Sequence, residues 1–267
     1  MIDTLERPAL RVSADDILES HFTLAARPGA IEPIVVDGAA GWTSPNPHPV
    51  LSLMRWTTID PGTASLALDA VLARFRDAGQ GFDWMTGPKT AHLVPLLYER
   101  GFIAPPLDVA AMIRCVSPDI DISMPKDLRV WKVEDLQDDR ISRVMARGFD
   151  VSGEVGAIFH EAYLTSSPLQ TSDVYAVSAD GDDAPVGVGY LSYIGDGPSV
   201  LLRVSSTLDE YRGRGIYKAL VLRRLADAAK QGRTQAFVHA YSDGSQRVLS
   251  GLGFESAGSL QLHRWRP

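Results

Sequence analysis

The chain has 267 residues, 45% of them hydrophobic and 22% charged, and 26 Lys plus Arg against 33 Asp plus Glu give a formal net charge of −7. This composition excludes a disordered chain and a disulfide-built miniature; at roughly 100 to 200 residues per domain, the length points to two modest domains or one large one. No apolar run approaches the roughly 18 residues of a bilayer span, and the opening MIDTLERPALRV has neither the basic nor the apolar region of a secretory leader. The expected location is therefore the cytoplasm, with no membrane partner. The acidic balance argues against a nucleic-acid partner and leaves any anionic ligand to a local basic patch. Cys115, the single cysteine, reads as a core residue and permits neither an internal disulfide nor a Cys-based zinc site. The six histidines lie far apart without metal-ligand spacing, so no metal is expected.

The first thirty residues show weak periodicity and several breakers, and with the proline-rich Pro45-Asn46-Pro47-His48-Pro49 they read as an irregular lead-in and a loop. Residues 50–59 have the β-branched and aromatic content of a strand, which Asp60-Pro61-Gly62 stops. Over 66–78, Leu68, Val71, Leu72 and Phe75 draw one apolar stripe along a helix. A short strand over 82–85 breaks at Gly87-Pro88. A helix follows over about 92–100, with Pro95 in its first turn, and ends at Gly101-Phe102. The next strand is 109–116. The segment 117–126, SPDIDISMPK, carries two prolines and three charges and marks a boundary between units 1–124 and 125–267.

The pattern restarts with a strand over 128–133 and a helix whose buried face is Ile141, Val144, Met145 and Phe149. A loop-rich stretch with Gly153, Gly156, Ser166, Ser167 and Pro168 follows, within which 157–164 is a candidate lid helix. Strands over 174–178, 186–193 and 199–206, joined by turns rich in glycine and aspartate, form a meander. A long helix over 215–231, a strand over 235–241, a short helix over 245–251 and a strand near 259–265 complete the chain. Hairpin-linked strands followed by helix-linked strands imply an α/β fold with a mixed sheet and helices on its faces. The halves echo each other, since 96–102 and 248–254 each put a short helix before a Gly-Phe pair. Two related units are expected.

The most informative segment is 207–225, TLDEYRGRGIYKALVLRRL, where a strand runs through Arg212-Gly213-Arg214-Gly215 directly into a helix. Glycines let the backbone turn sharply and approach a ligand closely, and the free amides and dipole of a first helical turn favour an anion. Arg212 and Arg214 add charge-assisted donors, so the expected ligand carries phosphates, with Lys218 one turn further along. A surface turn bearing two solvated arginines is the simpler alternative.

This segment resembles the pyrophosphate loop of the GNAT superfamily of acyl-CoA N-acyltransferases, whose pattern is Gln or Arg, two residues, Gly, one residue, Gly or Ala. Arg212, Gly215 and Tyr217 take the defined positions, the tyrosine departing from the last. The resemblance covers about 127–265, and the first half, with Trp84-Met85-Thr86-Gly87-Pro88, looks like a degenerate copy without a phosphate loop, as in tandem members. It implies tandem GNAT-like folds with one site for acetyl-CoA or another acyl-CoA. That site takes in Arg212, Gly213, Arg214, Gly215, Ile216 and Tyr217, with the strand edge Ser205, Ser206 and Thr207 facing the pantetheine arm. An amide of that edge can hold the thioester carbonyl. The hydroxyls of Ser205 and Ser206 either join the site or bond locally.

The resemblance also implies acid-base groups that this sequence lacks. Many members carry a glutamate on the strand before the loop, but 197–207 holds no Asp or Glu and Leu201 stands near that place. The usual tyrosine, five residues before the closing phenylalanine, is Leu249. Substitutes lie on the strand 235–241, where Phe237, His239 and Tyr241 alternate onto one face: Tyr241 as a proton donor to sulfur, His239 as a base with a suitable ordinary pKa. A buried structural histidine is the alternative. His160, Glu161 and Tyr190, with Glu154, Tyr163 and Tyr193, are candidates for an acceptor pocket or else a solvated face. The tryptophans, Trp42, Trp56 and Trp84 among them, most simply pack the first half's core.

The expected activity is transfer of an acyl group, acetyl foremost, from acyl-CoA to a small-molecule amine by direct attack, in a monomer or homodimer. A non-catalytic acyl-CoA sensor, which the two leucines would suit, and other acyl-thioester chemistry on the same fold remain open.

Overall fold

The computed structural model describes Ile17 and residues 31–36, 38–46, 48, 51–57, 60–164 and 170–267. Most of the expected lead-in, and Ser166, Ser167 and Pro168, lie outside the described residues. A hairpin of β1 (Glu32–Val36) and β2 (Ala39–Thr43) precedes β3 (Leu53–Trp56). The hydrophobic pattern does not announce this hairpin, because each strand is five residues long and neither alternates cleanly between buried and exposed. Asp60-Pro61-Gly62 does more than stop a strand. Asp60 Oδ1 accepts from the Gly62 N–H at 2.9 Å and Pro61 presets the first helical residue, so α1 (Pro61–Asp77) begins five residues before the expected start. It buries the predicted stripe of Leu68, Val71, Leu72 and Phe75.

β4 (Phe82–Thr86), a 3-10 turn and α2 (Val94–Glu99) lead into β5 (Ile103–Cys115), which starts six residues earlier than its hydrophobic run suggests. Pro105 and Pro106 stand before β5 meets β10 and where its register with β11 shifts between Ile103 and Leu107, so both fall outside the paired positions. After the irregular 117–127 come β6 (Leu128–Lys132), α3 (Asp139–Gly148) and α4 (Gly153–Leu164). The candidate lid is the last eight of the twelve residues of α4, and Phe149 stands at the C-cap of α3, 44% exposed, instead of on its buried face. β7 (Gln170–Ala179), β8 (Gly187–Ile194) and β9 (Ser199–Thr207) form the expected antiparallel meander. Then α5 (Ile216–Lys230), β10 (Gln235–Ala240), α6 (Asp243–Gly251) and β11 (Glu255–Trp265) follow.

Among the described residues eleven strands join one mixed sheet in the order β1-β2-β3-β4-β11-β5-β10-β9-β8-β7-β6. Its two parallel pairs, β3 with β4 and β9 with β10, are each bridged by a helix, α1 and α5. Beyond each pair the last strands of the two halves exchange positions: β11 lies beside β4, β5 lies beside β10, and β5 and β11 pair antiparallel. The Gly-Phe echo marks the entry to these two strands. In both, a glycine with φ of 86° or 79° lets the phenylalanine N–H return to the leucine carbonyl five residues back, Phe102 to Leu97 and Phe254 to Leu249.

The first half's core stacks Phe75 on Phe82 and sets Trp56 against Trp84, ring centroids 4.1 and 4.5 Å apart, and Trp265 of β11 joins it. The second half's core is built on α3, α5 and the meander and takes in Met112 and Val116 from the far side of the segment 117–127. Leu53, Met85 and Ile113 meet Leu201, Phe237 and Leu260 in a third cluster that belongs to both halves. Cys115 ends β5 half-buried and belongs to none of the core clusters.

Candidate functional site

β9 and β10 pair from Ser199 with Gln235 to Leu202 with Val238 and then part, while β9 continues to Thr207 and β10 to Ala240. On its other side β9 stays with β8 out to Thr207 with Gly187, and Val204 is an extra residue in that ladder. From Arg203 onward β9 therefore presents main chain to an opening cleft. Ser205, Ser206 and Thr207 lie on this stretch of β9. The serine hydroxyls are turned inward: Ser205 Oγ accepts from Arg224 Nη2 at 2.9 Å, and Ser206 Oγ donates to the Val144 carbonyl at 2.9 Å. What remains available at these positions is backbone.

The cleft ends at the loop before α5. Gly213 and Gly215 have φ of 79° and 81°, left-handed values that a side chain would strain, and Gly215 is an N-cap with no side chain to satisfy the helix. The first amide of the helix to reach a carbonyl is Ala219, bonded to Gly215 at 2.9 Å. Among the described residues no main-chain carbonyl accepts from the N–H groups of residues 213–218. Gly213, Gly215, Ile216, Tyr217 and Lys218 line a cavity of about 440 Å³, and Thr207 and Arg212 stand in the same wall. Its other wall is α6, with Arg247, Val248, Gly251 and Leu252. Lys218 and Arg247 add cations to the rim, and Arg212, 59% exposed, is shared with Asp209 at 2.7 Å.

Arg214 departs from the expectation that its guanidinium serves the ligand. It is held by Asp180 at 2.5 Å and Asp127 at 2.7 Å, lies over the Tyr211 ring, and stands outside the cavity wall. Those two carboxylates push its pKa up and staple the loop to the strand edge behind it.

On the face of the sheet that carries Leu201 and Phe237, the cleft is bordered by Arg203, His239, Tyr163 and Tyr241, close enough to shift one another's titration. Arg203 is 3% exposed and lies over the Tyr163 ring at 5.5 Å; burial pulls its pKa down to about 10. Tyr241, just past the end of β10, is 41% exposed. Burial, Tyr163 and Asp83 raise its pKa against the pull of Arg203, so the phenol stays protonated and can donate. His239 does not have the near-neutral pKa that a base needs. Burial and then the charge of Arg203 lower it to about 3, which keeps the ring neutral and a poor proton acceptor.

His160 and Tyr190 belong to the packing between α4 and β8 and do not reach the cleft as ligands. His160 Nε2 donates to the Leu136 carbonyl at 2.8 Å, which fixes the tautomer and leaves Nδ1 to accept from the Tyr190 hydroxyl at 2.6 Å. Tyr190 is 0% exposed and its hydroxyl also touches Met145 Sδ at 2.8 Å. Glu161 is half-buried on α4, Glu154 is exposed, and Tyr193 donates to Asp173 at 2.9 Å. Leu201 and Leu249, 1% and 0% exposed, pack in the apolar clusters. Arg203, Arg224 and Arg247 escape the sequence reading. Only Arg224 left a signal, a charge four residues after Leu220 and four before Ala228 on the buried face of α5.

A meander, a strand pair that parts, and a glycine turn opening a crossover helix above the gap define a recognisable architecture. No family model and no curated protein matches the sequence. The fold does match solved structures. A GCN5-related N-acetyltransferase from Kribbella flavida aligns with a TM-score of 0.66 at 16% identity, over 89% of this chain and 90% of that one. The chain has the GNAT fold. A GCN5-related N-acetyltransferase from Sphaerobacter thermophilus gives 0.61 at 15% identity over 96% and 87% of the two chains. A tandem GNAT protein from the clavulanic acid biosynthesis pathway gives 0.62 at 15% identity over 94% and 87%. The GNAT fold thus extends over both halves of the sequence, and the α/β mixed sheet matches the expected class.

Proposed function

We propose that this protein is an acyl-CoA-dependent N-acyltransferase that moves an acyl group, acetyl in the first instance, to the amine of a small molecule by direct attack. The observation that carries the reading is the run of amides over 213–218 that no main-chain carbonyl takes up, in a turn whose residues, Arg214 apart, line a cavity at the end of the β9–β10 cleft. Those amides, with the side chains of Arg212, Lys218 and Arg247, suit a diphosphate. The edge of β9 from Arg203 to Thr207 suits the pantetheine arm. Bound there, the coenzyme supplies an acyl thioester, an electrophilic carbonyl next to a leaving sulfur.

The chain's own part is to align the amine with that carbonyl, polarise it through the β9 main chain and return a proton to sulfur. In this reading Tyr241 holds the proton that the sulfur takes. His239, neutral and already depressed to about 3, is a wall of the acceptor pocket and not its base. An acceptor that arrives with a neutral amine, or one deprotonated through water, fits this arrangement. We assign 125–267 as the coenzyme-binding unit and 1–124 as its degenerate partner.

Calorimetry with CoA tests the reading. The wild type binds it, and Gly215→Glu, which sets bulk and negative charge against the phosphates, abolishes binding; equal affinity in the two proteins would overturn the site. Leu201 and Leu249, where the family's acid and base commonly stand, favour a second reading as an acyl-CoA sensor. Thiol release over a broad amine panel separates the two, since binding without release supports the sensor.

A further inference from the structure

Arg224 is a cation placed entirely inside the protein, at 0% exposure, and its contacts converge on the irregular part of β9. Its Nη1 donates to the carbonyl of Tyr190 on β8 at 2.9 Å and to the carbonyl of Arg203 on β9 at 3.1 Å. Nη2 donates to Ser205 Oγ at 2.9 Å, and Nε to the Leu220 carbonyl of its own helix at 3.0 Å. Gly189 leaves the room: a Cβ there would lie 3.0 Å from the guanidinium carbon. The ladder confirms where this happens. Gly189 faces Ser205 and Tyr190 faces Arg203, so the residue skipped between them is Val204.

Two carbonyls that share one nitrogen must both point into the seam between β8 and β9. A trans peptide sends its C=O and its N–H in opposite directions. With the Arg203 carbonyl turned toward β8, the N–H of Val204 points away from β8, to the side where β10 has already separated from β9 at Leu202. Val204 is in no ladder pair with either neighbour. The charge on Arg224 has a second effect. A guanidinium bonded to the oxygen of a peptide polarises that peptide and makes its N–H a stronger donor.

We propose that Arg224 is a positioning residue: it builds the Val204 bulge and presents a polarised Val204 N–H to the acyl carbonyl of the thioester. The inference rests on the coenzyme reading above and adds to it the group that sets the orientation of the carbonyl-binding amide. Folding alone does not ask for a charge here, since burying a guanidinium costs several kcal/mol before its hydrogen bonds offset it. An apolar side chain of similar length fills the volume but leaves the Tyr190 and Arg203 carbonyls without their donor.

The test is the infrared carbonyl stretch of 13C-labelled acetyl-CoA bound to the protein, read beside the CoA dissociation constant. Bound to the wild type, the stretch falls below its value in water. In Arg224→Met it returns to the solution value while CoA affinity stays within about threefold, because the phosphates are held elsewhere; kcat falls on the order of 10- to 100-fold with little change in KM for acetyl-CoA. Arg224→Lys keeps one donor and recovers part of the shift, and it carries the test if the Met variant does not fold. A wild-type shift retained in either folded variant overturns the proposal. A wild type that binds CoA without any shift also overturns it, and leaves the coenzyme site standing. A wild type that binds no CoA removes both.

Discussion

His263 is 0% exposed, bonded through Nε2 to Thr86 Oγ1 at 3.0 Å, with the Tyr98 ring against it, and burial lowers its pKa to about 4. The unfolded chain returns it to about 6.5. Between these values the unfolded state takes a proton that the folded state refuses, so acid favours unfolding. The stability this histidine contributes is complete above about pH 6.5 and is lost as the pH falls toward 4, on the order of 3 kcal/mol over the whole window. His239, held at about 3, adds to the same slope and extends it lower. Urea midpoints measured from pH 7 to 4 should therefore fall, and should fall less steeply in His263→Gln, which has no proton to gain; identical slopes would rule this histidine out as a source of acid sensitivity. The same effect explains why part of the site was illegible from the sequence. Alternation along the strand correctly set His239 and Tyr241 on one face, but a pKa belongs to the environment, and nothing in QAFVHAY records that Arg203 lies beside the imidazole. His160 was misread for a related reason: Leu136 and Tyr190, which hold its two nitrogens, are 24 and 30 residues away.

The element that the sequence describes best is the start of α5, because its constraint is local. Two glycines at left-handed φ, with no capping side chain, leave donors that only a ligand or water can use, and that much follows from RGRGI before any tertiary contact is known. Its second wall, α6, was not foreseeable, since Arg247 and Val248 reach the cavity through the packing of a helix that carries no phosphate motif of its own. If these parts form an anion site, inorganic pyrophosphate alone should stabilise the protein, by about 1.4 kcal/mol at ten times its dissociation constant. Gly215→Glu should abolish the effect, and Arg247→Ala should weaken binding by a factor on the order of ten, through loss of a charge-assisted hydrogen bond. Thermal unfolding with and without pyrophosphate reads all three, and a wild type that pyrophosphate leaves unchanged would count against the donors over 213–218. Strand length was less legible than helix start: β5 was predicted from its apolar run, but its extent is set by pairing with β11, which extends it back to Ile103.

At the scale of the molecule, the segment 117–127 divides the sequence without dividing the sheet. A chain of two related units usually folds as two domains with few contacts between them. Here β5, before the segment, is flanked by β10 and β11, both after it, and β11 is flanked by β4 and β5, both before it. No local property of either strand distinguishes the two slots, since each follows a short helix and a Gly-Phe turn; the exchange is a choice of partner, which a sequence read alone does not contain. Its thermodynamic consequence is cooperativity. Removing either half strips the other of a strand paired on both sides and opens the shared cluster around Ile113, Phe237 and Leu260. Three of the five tryptophans, Trp56, Trp84 and Trp265, sit in the first half's core, while most helical residues lie in the second half, so tryptophan fluorescence is weighted toward the first half and far-ultraviolet circular dichroism toward the second. We expect the two signals to share one urea midpoint, and Leu260→Ala, at a position 0% exposed, to lower both together by about 2–5 kcal/mol of stability. Residues 125–267 expressed alone should lose CoA binding, and mixing with 1–124 during refolding should restore it. Two separate transitions, or a second half that folds and binds unaided, would mean that the interleaved strands do not couple the halves.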